Sequence, residues 1–122
     1  MKYICLAYEE ESILNNLSKD EWKLLRNETL EYVDNLKNTN RLITAEPLQS
    51  ARKAVSVRVR NGKLSVTDGP FAETKETLGG FFLIEAKDLN EAIQVAAKWP
   101  SARFGTIEVR RVDEQLNEES RY

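Results

Sequence analysis

Apolar side chains alternate from the start of the chain, with Ile4, Leu6 and Tyr8 on one side and Tyr3, Cys5 and Ala7 on the other. Two apolar rows at period two predict a largely buried strand over residues 2–8. An acidic run, Glu9-Glu10-Glu11, follows and is read as a loop. In Leu17-Ser18-Lys19-Asp20-Glu21-Trp22, Ser18 and Glu21 stand at capping-box spacing, flanked by Leu17 and Trp22 as a hydrophobic staple. Trp22, Leu25, Tyr32, Val33 and Leu36 then recur at helical spacing up to Asn38-Thr39-Asn40, which predicts a helix. A short strand is predicted over residues 42–46, closed by Pro47 because proline donates nothing to a ladder.

The clearest hairpin lies in the middle. Val55, Val57 and Val59 alternate with Ser56, Arg58 and Arg60, Asn61-Gly62 follows, and Leu64 and Val66 resume the alternation. Asn-Gly accepts the positive φ angles of a type I′ turn. Asp68-Gly69-Pro70 breaks the pattern, and Gly79-Gly80 precedes a strand predicted over residues 81–84, so the segment between is a loop. Asp88, with Glu91 three residues on, signals a second helix whose stripe is Leu89, Ala92, Ile93, Ala96 and Ala97. Pro100 stops it. A last strand over residues 106–112 alternates Ile107 and Val109 with Glu108 and Arg110, and residues 113–122 read as a polar, frayed tail to a domain of residues 1–112. No repeat, low-complexity tract or interdomain linker interrupts the chain.

The order strand, helix, strand, hairpin, strand, helix, strand is that of an α+β, ferredoxin-like antiparallel sheet with two helices on one face and an inserted β-hairpin. Helices on one face leave the other bare. The simplest way to bury its apolar side chains is against a second copy, so a homodimer is expected.

Composition narrows the function. The chain has 122 residues, 41% of them hydrophobic, enough for one modest core. A net charge of -2 provides no field to gather nucleic acid or an anionic membrane surface. No apolar run approaches the roughly 20 residues of a membrane span, and no secretory signal precedes the first strand. The single Cys5 excludes an internal disulfide and suits a reducing, cytoplasmic setting. The absence of histidine is the most informative item, since it removes Ser-His and Cys-His pairs, imidazole acid–base chemistry and most zinc sites. Neither a cofactor nor a metal is expected.

The remaining candidates are charged. Asp68, at the end of a strand beside glycine and proline, is first a turn-capping carboxylate; facing a cleft, it would be a proton donor or acceptor. Glu73, Lys75 and Glu76 are by default a solvated cluster, whose sharper use is to close over a cleft and pair with Arg103 or Arg110. Glu108 and Arg110 share one side of the last strand and read as an outer face; lining an interior instead, Arg110 and Arg103 would anchor a small anionic ligand. Tyr8 could add a hydroxyl there. Cys5 reads as a small buried hydrophobe, and Trp22 and Trp99 as core or interface aromatics.

Residues Val66-Thr67-Asp68-Gly69-Pro70-Phe71-Ala72-Glu73-Thr74-Lys75-Glu76, with Leu78-Gly79-Gly80-Phe81, closely resemble the signature of the DGPF family, a branch of the YCII-related proteins. Met1-Lys2-Tyr3, Glu46-Pro47-Leu48, Val57-Arg58-Val59-Arg60 and the stretch from Pro100 through Gly105 to Arg110 extend the likeness over nearly the whole chain. The resemblance implies a dimeric α+β barrel with clefts near the dimer contact. It implies little about activity: some YCII-related relatives look like lyases or dehydrochlorinases with a His-Asp pair, which a chain without histidine cannot form, and DGPF proteins sometimes accompany extracytoplasmic-function sigma factors. Two functions therefore stand side by side. One is a homodimeric module that binds a small ligand or partner, with a link to transcription initiation. The other is a cofactor-free enzyme acting on a small anionic organic compound, with Asp68 as acid or base and Arg103 or Arg110 stabilising negative charge.

Overall fold

The structure, a computed structural model, describes residues 1–115. Along the chain it runs β1 (Lys2–Glu9), α1 (Glu11–Asn15), α2 (Lys19–Asn38), β2 (Leu42–Pro47), a 3-10 turn (Ala51–Lys53), β3 (Val55–Arg60), β4 (Lys63–Asp68), β5 (Thr77–Glu85), α3 (Leu89–Ala97), a second 3-10 turn (Pro100–Arg103) and β6 (Gly105–Arg111). Four strands form one sheet in the order β2-β5-β1-β6, every neighbouring pair antiparallel, and β3 and β4 pair only with each other. This is the interleaved connectivity expected, with the hairpin inserted between its second and third strands.

The local signals that set these elements are visible. Ser18 Oγ accepts from the Glu21 amide at 3.1 Å while Glu21 Oε1 accepts from the Ser18 amide at 3.0 Å, so the capping box is closed and α2 starts where expected. The Ser18 amide, and after it the Ser18 hydroxyl, lower the pKa of the Glu21 carboxyl. Asp88 caps α3 by accepting from the Glu91 amide at 2.8 Å. Asn61 and Gly62 have φ of 51° and 74°, as a type I′ turn requires.

Strand β1 lies at the centre, where Cys5 stands opposite Phe82 on one side and Val109 on the other. Tyr3, Cys5, Phe82 and Ile84 bury their side chains beneath both helices, against Leu36 of α2 and Ala92, Val95 and Ala96 of α3. Trp99 stacks on Phe82 with ring centroids 4.0 Å apart and meets Tyr32 edge-on at 6.1 Å. The Tyr32 hydroxyl donates to Val95 O at 2.7 Å and so ties α2 to α3. Burial pushes the Cys5 thiol up to about 12, consistent with its role as a core hydrophobe.

Several expectations shift. The stripe of α3 that packs is Ala92, Val95 and Ala96, whereas Leu89 and Ile93 are about half exposed; the small alanines let the helix sit close to the sheet, and the longer side chains flank it. The residues read as an acidic loop divide between the end of β1 and the five-residue α1, too short to show a period. Strand β5 begins at Thr77, so Gly79 and Gly80 lie within it rather than before it. Ala7 pairs with Gly80 but Tyr8 with Leu78, which leaves Gly79 as the extra residue of a bulge. The Val112 amide donates to Lys2 O and the Lys2 amide to Glu114 Oε1 at 3.0 Å, tying the first residues of the predicted tail to β1. Residues 116–122 of that tail lie outside the described residues.

The other sheet face carries Ile4, Leu6, Tyr8, Phe81 and Leu83, all half-buried, beside Glu108 and Arg110 of β6. On the hairpin, Val57 faces Val66 and Val59 faces Leu64, and Leu64 is 68% exposed. Leu36 is completely buried, so Leu36→Ala should lower unfolding stability in a urea titration by about 2–5 kcal/mol. A loss under about 1 kcal/mol would mean that α2 does not pin the core at this point.

Candidate functional site

The first half of α2 stands off the sheet. Trp22 is 49% exposed, and Leu25 and Val33 are half-buried. Between this helix and the edge formed by β2, β5 and the end of β1 lies a cleft of about 1100 Å³, ample for a small organic molecule. Its walls are mostly apolar, with Leu14, Leu17, Trp22, Leu25, Val33 and Trp99 among them.

One acid lies among these apolar walls. Alternation along β1 turns Tyr3, Cys5 and Ala7 toward the helices, and Glu9 continues that row into the cleft. Its carboxylate lies directly over the bulged Gly79, where an added Cβ would come within 2.8 Å of Glu9 Oε2. At Gly80 an added Cβ would meet the Glu46 carbonyl oxygen at 3.0 Å. The two glycines therefore admit a carboxyl and a neighbouring strand where side chains would collide. Burial raises the pKa of Glu9, and the Ser101 hydroxyl offsets part of that shift. Ser101 is itself buried, and its Oγ falls outside hydrogen-bond geometry, leaving a polar atom at the cleft without a partner among the described residues.

The entrance is charged. Glu11 closes one side by accepting from the Ser50 hydroxyl at 3.0 Å and the Ala51 amide at 2.8 Å, which fastens α1 to the first 3-10 turn. Arg26 of α2 and Arg52 of that turn also line the cleft, both exposed, and neither guanidinium has an ion-pair partner among the described residues.

The residues singled out from the sequence lie elsewhere. Asp68 is exposed at the end of β4, opposite Val55, and Glu73 and Lys75 are exposed on the loop beyond it. Glu76 is half-buried, with Oε1 lacking a partner among the described residues. Arg103 forms a two-pronged pair with Glu28 of α2, at 2.5 and 2.9 Å, instead of reaching Glu73 or Lys75. That guanidinium holds the Glu28 carboxyl below its ordinary pKa. Arg110 pairs with Glu108 on its own strand at 2.8 Å. These two, with Tyr8, occupy the sheet face away from the helices. Within one chain, then, Asp68, Lys75, Arg103 and Arg110 do not converge on the cleft. Among the described residues no three Cys, Asp or Glu side chains gather as a metal would need.

Comparison with known proteins gives three findings. A family model described as the YCII-related domain matches residues 1–115. An uncharacterised protein of Rhizobium meliloti (strain 1021), R00369, is 34% identical over 112 residues, spanning 90% of each chain. Among solved structures, the 5-chloro-2-hydroxyhydroquinone dehydrochlorinase TftG of Burkholderia phenoliruptrix AC1100, in complex with 2,5-dihydroxybenzoquinone, aligns with a TM-score of 0.53 at 15% identity, covering 94% of this chain and 96% of that one. At that identity the likeness is one of fold.

Glu9 gives the site a pH signature. Because its folded pKa is raised, the native state favours the protonated form, and this contribution to stability is present below the unfolded pKa and lost as pH rises through the folded one. Glu9→Gln should therefore raise Tm by a few degrees near neutral pH, with the gain fading below about pH 4, where both states are protonated. A Tm difference independent of pH would remove Glu9 from the buried end of the cleft.

Proposed function

This chain belongs to the YCII-related domain family, and we propose that it is a homodimeric module that binds a small organic ligand in the cleft between α2 and the sheet. The observation that carries the reading is the cleft itself, a cavity of about 1100 Å³ with mostly apolar walls, a half-buried acid and a hydroxyl without a partner among the described residues. No helix among the described residues is long and apolar enough to cross a membrane. If sigma factors accompany this chain as they do some relatives, occupancy of the cleft would be read out at transcription initiation.

The dimer has its own support. An apolar, half-exposed sheet face and a hairpin with Val57 at 61%, Leu64 at 68% and the adjoining Phe71 at 81% exposure give one chain more uncovered apolar surface than a monomer ordinarily carries. A two-stranded hairpin is marginal by itself. Pairing of two open faces would bury Ile4, Leu6 and Leu83 and complete a barrel from two sheets. It would also gather Tyr8, Glu108 and Arg110 with Asp68 from the hairpin and Glu73 and Lys75 from the loop beyond it, which is where the expected ligand contacts of those residues would arise.

A second reading is a cofactor-free enzyme on a small anionic organic compound, similar in kind to a lyase or dehydrochlorinase. It is favoured by a carboxyl whose pKa is raised toward the working range of an acid–base group, Glu9. Its fold is that of the dehydrochlorinase TftG. In this reading Asp68 acts from the dimer contact.

Sedimentation at micromolar concentration should give the mass of two chains, and Leu6→Lys, which sets a charge on the open face, should give the mass of one. A wild-type monomer would remove the barrel. For the cleft, a metabolite screen should raise Tm through binding to the native state, by an amount equivalent to about 2.7 kcal/mol at a hundredfold excess over Kd. A ligand found this way that is turned over by the wild type but not by Asp68→Asn would favour the enzyme.

A further inference from the structure

We infer that the cleft takes a small organic carboxylate with an apolar body, its anionic group held by Arg26 and Arg52 at the entrance and its inner end hydrogen-bonded by Glu9 and Ser101. This rests on the cleft being the ligand site. Three observations meet there.

The first is a charge count. The charged groups that share the cleft with Glu9 are Glu11 of α1, Lys19, Arg26 and Lys37 of α2, Glu46 of β2 and Arg52 of the first 3-10 turn. Four cations thus face three acids, or two once Glu9 is protonated, so positive charge is in excess either way, which suits an anion. Glu11 is also committed to Ser50 and Ala51. Arg26 and Arg52 come from different elements, and a guanidinium from either offers the fork that a carboxylate accepts in two parallel hydrogen bonds.

The second is the floor. The buried Ser101 hydroxyl lies near Glu9 at the cleft, yet its Oγ meets hydrogen-bond geometry with no group among the described residues, a state that costs stability unless something else satisfies it. Glu9, beside Gly79, is half-buried. Protonated, it donates a hydrogen bond to a bound polar group; ionised, it repels an anion. Binding is therefore coupled to proton uptake at Glu9, the one carboxyl among the described residues whose pKa is raised. The third observation is the apolar wall. The chain has two tryptophans, and Trp22 and Trp99 both line this cleft.

Those tryptophans make the test direct. The full-length protein is titrated with 4-hydroxybenzoate, whose hydroxyl supplies the polar inner end, and with its uncharged counterpart 4-hydroxybenzamide, following tryptophan emission, between about pH 5 and pH 8, where the carboxylate stays ionised. The carboxylate should change the emission saturably and bind about tenfold or more tightly than the amide, the difference that one charge-assisted hydrogen bond typically supplies. Arg26→Ala and Arg52→Ala, both at exposed positions that leave the core intact, should each weaken the carboxylate by about tenfold and leave the amide unchanged. Affinity for the carboxylate should fall as pH rises in the wild type and stay level in Glu9→Gln. Equal affinities for the two probes, or the same pH slope in Glu9→Gln, would overturn the anion inference while leaving the cleft as a ligand site. No emission change with either probe at ten-millimolar concentrations would overturn both.

Discussion

Side-chain parity along β1 governs this molecule. A strand offers its residues to two faces in strict turn, and at the centre of the sheet neither face is free to choose. Tyr3, Cys5 and Ala7 must lie beneath the helices, so the next residue in that row, Glu9, is carried under α2 whether or not an acid is welcome there. The complementary row, Ile4, Leu6 and Tyr8, must then face away from the helices. A one-residue slip would exchange the two rows, moving the acid out and the core with it. The acid in the cleft and the uncovered apolar face are two outcomes of one register.

The rest of the site is an accommodation to that acid. The bulge at Gly79 opens room over which the carboxylate lies, and Gly80 lets the Glu46 backbone approach. The Leu48 amide donates to Gly79 O at 2.8 Å, which holds the chain beyond β2 to the bulge. Glu11, two residues past Glu9, fastens the opposite lip through Ser50 and Ala51. Arg103 with Glu28 binds the second 3-10 turn to α2 and so helps to hold Ser101, two residues before it in the same turn. These contacts are polar and peripheral, and they shape the cleft without filling it.

Much of the fold was legible because its signals are local. The capping box at Ser18, the Asp88 cap, the Asn61-Gly62 turn and the alternation of β1 each require only neighbours in sequence. The misplaced features depend on distant partners: Gly79 and Gly80 read as a strand boundary until Glu9 and the Glu46 backbone are seen to press against them. Leu89 and Ile93 carry the right period for a buried stripe, but only the sheet's distance decides that alanines take it. The site was harder still. Asp68, Lys75, Arg103 and Arg110 draw attention by charge and motif, whereas Glu9 was hidden in an acidic run. Its signal was present nonetheless, since an acid that continues an apolar row of a central strand is an anomaly of pattern.

Cys5, with no path to solvent and a thiol that ionises only at about 12, has almost no thiolate at any ordinary pH. Oxidants, metals and disulfide partners act on the thiolate, so Cys5 in the folded chain is a poor target for them. The same inertness is of practical use. A cysteine introduced on the hairpin or at the cleft mouth would be the sole thiol to take a spin label or dye, with the native one left in place.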